Sequence, residues 1–357
     1  MLTALAVAGC GDKTPSVTSG GDASPPDGGG GEAPAAATDA TPEAPAPPPV
    51  PILGWDDCGA VPLPSGASGL TLSVFGVAVS PDARWLVATT GRTAPMWQVA
   101  DDFAQSTLAR TLDTELAIYP EFSPDGARVA ISGDGRILFD SETGEKLFEP
   151  TPPAAVTGCW TAFFNFSRRG RWVAGTGYFN RIDVIAVDTL ATIAELPSGS
   201  CDSGAAFSAD DSLIATGFPE LYRTSDWTRV WPANVTIAQP VGIGADVALD
   251  SVSFTPDGQR LLTSKCVVAG IGARVTCQNR FFSVATGAPI GGVQPFAGPR
   301  PSYAPDGRWL VAGGDVYNLI TNQMRHLGEF TAAAFAASGD IFAAATDGNL
   351  HRFCARR

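Results

Sequence analysis

An all-β fold, a seven-bladed β-propeller of four-stranded antiparallel blades, is predicted by three features of this 357-residue sequence. One phrase, an aromatic or Val followed by Ser-Pro-Asp-Gly or a variant and then an alternating apolar run, is written seven times. Each copy sits in a unit with room for four short strands. The chain also holds 40 Gly and 29 Pro, which leave little room for helices, while Val, Thr, Phe and Trp recur in short runs. With 45% apolar and 17% charged residues, a sizeable core is within reach.

The copies read VSPDARWLVATT from Val79, FSPDGARVAISG from Phe122, FSRRGRWVAGTG from Phe166, FSADDSLIATG from Phe207, FTPDGQRLLTS from Phe254, YAPDGRWLVAGG from Tyr303 and FAASGDIFAAAT from Phe335. Pro presets φ for a tight turn, Asp can bond back to the backbone and Gly accepts a positive φ, so each phrase predicts a hairpin. Where Pro or Gly is lost, at Ala83, Arg168-Arg169, Asp210-Asp211 and Ala337-Ser338, a looser turn is expected. A third strand follows a Gly-containing break, as in RILFD after Gly135 and VYNLI after Asp315, and segments such as GEKLFEP close the unit. The turn positions at 80, 123, 167, 208, 255, 304 and 336 are spaced by 32 to 49 residues, the period of propeller blades. The last unit supplies three strands. Its fourth is expected from the N-terminal side, at Ala60–Pro64, which would close the ring.

The repeated phrase resembles the WD40-like repeats of bacterial propellers such as the TolB type, in which it marks the hairpin joining the two innermost strands. The resemblance covers most of residues 60–357. Gly-His and Trp-Asp pairs, the marks of true WD repeats, do not recur.

Residues 1–10, MLTALAVAGC, resemble a bacterial lipoprotein signal, with Val7, Ala8, Gly9 and Cys10 in the places of the lipobox. The resemblance implies a lipid on Cys10. A basic segment before the apolar run is missing. Residues 11–50 collapse to Gly, Ala, Pro, Ser, Thr and acidic residues, too few apolar groups to offset ordering entropy, and read as a disordered linker. Roughly 40 residues of such coil span about 35 Å. The propeller domain is assigned to residues 51–357. Together these features predict a monomeric domain in an oxidising compartment of the bacterial envelope, held to the membrane through the lipid alone. Gly11 after the Cys favours the outer membrane.

Six further Cys allow 15 pairings. The blade arrangement selects Cys266 with Cys277 across one hairpin, Cys159 with Cys201 at matching places in neighbouring blades, and Cys58 with Cys354 across the ring closure.

Chemical motifs are scarce. A formal charge of −13 argues against nucleic acid, which needs clustered cations. His326 and His351, the two His, read as ordinary residues of outer strands and have no metal-ligand spacing. Nothing in the sequence marks a catalytic residue, a cofactor site or a metal site. Trp85, Trp172 and Trp309 share one repeat position and read as packing between blades. The longest connections lie on one face of the disc, where Trp160, Tyr178, Phe179, Arg181 and Phe296 are candidate anchors for a protein or envelope partner. The reading is therefore a non-enzymatic interaction scaffold; the alternative is a hydrolase or lactonase-like envelope enzyme using carboxylates at the central channel.

Overall fold

The computed structural model describes residues 51–64, 74–91, 93–114, 117–133, 136–150, 164–177, 181–197, 204–217, 220–231, 248–268, 275–294, 296 and 300–357. Val50–Arg357 forms one compact unit. The first strand, β1 (Gly54–Pro62), precedes blade 1, which comprises β2 (Gly76–Val79), β3 (Trp85–Thr89), β4 (Ala94–Gln98) and β5 (Thr107–Leu112). Blade 2 is β6 (Tyr119–Phe122), β7 (Arg128–Ser132), β8 (Arg136–Asp140) and β9 (Lys146–Phe148). Blade 3 is β10 (Phe164–Phe166), β11 (Trp172–Gly177), β12 (Arg181–Ala186) and β13 (Thr192–Pro197). Blade 4 holds β14 (Ala205–Phe207), β15 (Leu213–Thr216) and β16 (Leu221–Arg223), with an antiparallel bridge from Tyr222 to Arg229 in the fourth place. Blade 5 is β17 (Ala248–Phe254), β18 (Arg260–Val268), β19 (Val275–Ser283) and β20 (Pro289–Gln294). Blade 6 is β21 (Ser302–Tyr303), β22 (Trp309–Ala312), β23 (Asp315–Asn318) and β24 (Met324–His326). Blade 7 is β25 (Phe330–Phe335), β26 (Ile341–Ala345) and β27 (Asn349–Arg356), completed by β1 in the order β1-β27-β26-β25. In every blade the copied phrase joins the innermost strand to its antiparallel neighbour.

The phrase works through its hydroxyl and its carboxylate. Ser80, Ser123, Ser208 and Thr255 each donate to the Asp two residues on, at 2.5–2.6 Å. The same oxygens accept the backbone N–H five residues on, as from Trp85 at 2.8 Å and Arg128 at 2.9 Å. The Asp in turn accepts the N–H two residues beyond itself. The fourth turn residue is left-handed throughout: Gly126, Gly170, Gly258 and Gly307 lie at φ +67° to +73°.

The departures from the phrase do not loosen the turn as expected. Ala83 and Asp211 keep φ of +57° and +60°, and their N–H groups donate to Ser80 and Ser208 carbonyls at 2.8 and 3.0 Å. Asp211 goes further: its carboxylate accepts Arg168 N–H at 2.6 Å and Arg169 N–H at 2.9 Å, in the turn of the preceding blade. Arg168 stands where Pro would have no N–H to give. The two departures are complementary.

The core lies between blades. Trp85 packs with Val87 and Met96 of blade 1 against Phe122, Val129 and Phe139 of blade 2. Trp172 lies 6.0 Å from Phe207 of blade 4, and Trp309 meets Trp55 edge-on at 5.2 Å within the cluster shared with blade 7.

Ring closure is more extensive than Ala60–Pro64. β1 begins at Gly54, pairs with β27 from Gly54↔Arg356 to Pro62↔Asn349, and shifts register between Asp57 and Ala60. The Cys58–Cys354 disulfide crosses this ladder with Cα atoms 5.8 Å apart. Trp55 Nε1 donates to Gly339 O at 2.9 Å, and Ile52 N to Asp306 Oδ2 at 3.1 Å, so the segment also grips the turns of blades 7 and 6. Cys277 is disulfide-bonded and faces Cys266 in the β18–β19 ladder. Cys10, Cys159 and Cys201 lie outside the described residues.

Candidate functional site: the central channel

Residues two positions before each turn line the bore, as do Gly76, Tyr119, Ser251, Arg300 and Ala332 four positions before it. The inner set is Ala78, Glu121, Asn165, Ala206, Ser253, Ser302 and Ala334, all on the wall of a cavity of about 410 Å³. Five are Ala or Ser; blades 2 and 3 depart with Glu and Asn. Four positions before the turn, Gly76 and Ala332 are small, whereas Tyr119 and Arg300 are large. Gly76 is small by necessity, because a Cβ there would stand 2.5 Å from Pro120 and 2.7 Å from Ile118 O.

These exceptions meet. Arg300 of blade 6 crosses the bore to the far side, where its Nη2 lies 3.4 Å from Glu121 Oε2 and donates to Asn165 Oδ1. Two blades separate Arg300 from its partners in either direction round the ring. Its guanidinium also lies 5.1 Å from the Tyr119 ring centre, a cation–π contact. Glu121 Oε1 accepts Phe166 N–H at 3.0 Å, and Asn165 donates to Ala205 O. Further along the wall, the hydroxyls of Ser253 and Tyr303 are 3.2 Å apart.

Burial sets the electrostatics. Loss of water pushes the Glu121 carboxyl above the usual range, and Arg300, the Phe166 N–H and Arg168 offset part of that. Burial also draws the Arg300 guanidinium below its usual value against the pull of Glu121 and Tyr119. The Tyr119 and Tyr303 phenols are raised by the same desolvation.

The loop residues expected to anchor a partner divide differently. Phe296 is 1% exposed and packs 5.3 Å from Tyr317, filling the core between blades 5 and 6 in place of presenting a ring to solvent. Arg181 is held by Asp183 at 2.8 Å and Glu195 at 3.0 Å, and Asp183 also binds buried Arg136 of blade 2 at 2.7 Å. Arg181 thus braces Asp183 within blade 3, and Asp183 joins blades 2 and 3 through Arg136. Trp160, Tyr178 and Phe179 lie outside the described residues. His326 is on the outermost strand of blade 6, 2.9 Å from Asp315, whereas His351 is on the third strand of blade 7, inside β1. Among the described residues, no group of three His, Cys, Asp or Glu could hold a metal ion.

Glu121, Asn165 and Arg300 were not singled out by motif. The signal was positional: aligned on the turn, they are the charged or amide side chains at places where most copies write Gly, Ala or Ser. No protein-family model matches this chain, and no curated protein matches it.

Proposed function

We propose that this chain is a lipoprotein of the bacterial cell envelope, anchored through Cys10, whose WD40-like propeller is a scaffold for a protein or envelope partner. The single observation that carries the non-catalytic reading is the bond network of Glu121. Among the described residues that line the channel it is the one carboxylate, and it is bonded to Arg300 and the Phe166 N–H. Carboxylate hydrolysis uses a pair of carboxylates or a free base with room for water. The Cys58–Cys354 bond supports an oxidising compartment. The net charge of −13 supports a partner other than nucleic acid. The alternative, an envelope enzyme, draws on the raised Glu121 pKa, since perturbed carboxylates mark many active sites.

Cross-linking and affinity capture from the producing cell tests the reading. One partner should be retained by the full chain and lost when Tyr178 and Phe179 become Ala. Cys10→Ser should move the protein out of the membrane fraction. Unchanged fractionation would remove the anchor, and hydrolytic turnover abolished by Glu121→Gln would replace the scaffold with the enzyme.

A further inference from the structure

We propose that the central channel is a binding site for a small organic monocarboxylate, with Arg300 as its anchor. The cavity, about 410 Å³, has the size of a small-molecule site and is walled by all seven innermost strands. Among the described residues the charged lining groups are Glu121, Arg168 and Arg300, and since Arg168 is exposed, Arg300 is the cation held within the bore.

The chemistry of the wall selects the ligand. A guanidinium offers a planar fork that matches a carboxylate, and the Asn165 amide and Tyr119 ring already fix its plane. Its contact with Glu121, at 3.4 Å, is longer than the roughly 2.7–2.9 Å of strong charge-assisted bonds, so an incoming carboxylate can bind Arg300 more closely than Glu121 does. A single guanidinium deep in the bore suits one negative charge; a phosphate dianion would face Glu121 with too little to balance it. Gly76, Ala78, Ala332 and Ala334 on blades 1 and 7 leave apolar room for the body of the acid. Ser253 and Tyr303 add hydroxyls on blades 5 and 6.

Calorimetric titration of the full chain with benzoate tests this, with benzamide and benzylammonium as neutral and cationic counterparts. Benzoate should bind saturably at one site, and benzamide and benzylammonium at least tenfold more weakly. Arg300→Gln should weaken benzoate at least tenfold, while Glu121→Gln should strengthen it severalfold by removing the competitor. Ala334→Phe narrows the bore without touching the ion pair and should abolish binding; it decides the matter if Arg300→Gln does not fold. N-acetyl-alanylalanine identifies the source: tighter binding than benzoate assigns the carboxylate to a chain end, weaker binding to a free acid, and both support the site. No saturable benzoate binding, or binding unchanged by Ala334→Phe, overturns it. Failure to capture a protein partner would leave this site standing.

Discussion

Ser123 shows what one residue of the repeated phrase contributes. Its hydroxyl, in a residue 1% exposed, accepts the Arg128 N–H at 2.9 Å and donates to Asp125 at 2.5 Å. Ser123→Ala leaves a buried N–H and a carboxylate short of a partner, and should lower stability by about 1–3 kcal/mol in a denaturant titration. Asp210 makes the same motif sensitive to acid. The Ser208 hydroxyl, then the Ser212 N–H and hydroxyl, bring its pKa to about 2. A folded value below the unfolded one means that this stabilisation is complete above about pH 4 and is lost as the pH falls toward 2. Asp210→Ala should therefore flatten the stability profile between those limits and leave its slope near neutrality unchanged; an identical acid limb would refute the assignment. These roles were legible because Ser and Asp stand at fixed offsets in copy after copy. Glu121 and Arg300 were not, since no motif contains them and their partners come from three different blades.

Turns set the fidelity of each blade, and here the departures from the phrase are informative. Ala83 holds φ of +57°, where an L side chain is strained by about 1–2 kcal/mol. Ala83→Gly should relieve part of this and raise the denaturant midpoint without changing the slope of the transition. At the blade 3–4 boundary, Asp211→Gly should cost about 1–3 kcal/mol by freeing two N–H groups, and Arg168→Pro should also destabilise. The double variant, which rewrites both sites toward the standard phrase, should lose less than the sum; strict additivity would deny the coupling. The hairpins after the third strand repeat the lesson. Leu190, Trp227 and Asn322 take positive φ where Gly144 and Gly287 do so elsewhere. A Gly announces such a turn in the sequence, whereas Leu or Trp conceals it, because neighbouring packing imposes the conformation.

The whole ring depends on residues far apart in the chain. The number and order of the blades could be read from the spacing of the copies, as could the need for an N-terminal strand in blade 7. The true extent of β1 could not. Asp56 and Asp57 are exposed on the outermost strand and the register shifts just after them, which breaks the alternation that reveals a strand. Closure joins residues separated by 296 positions, for which the entropic account of a cross-link gives about 6 kcal/mol. Cys58→Ser should accordingly lower the melting temperature and raise hydrogen exchange in β1 and β27 before the other blades. The most direct test of the closed ring is non-reducing peptide mapping of protein isolated from the producing cell. A single linked species joining the Cys58 peptide to the Cys354 peptide is predicted; a free Cys58 peptide would contradict both the closure and the oxidising compartment, and a Cys58 peptide linked to any other Cys would contradict the closure.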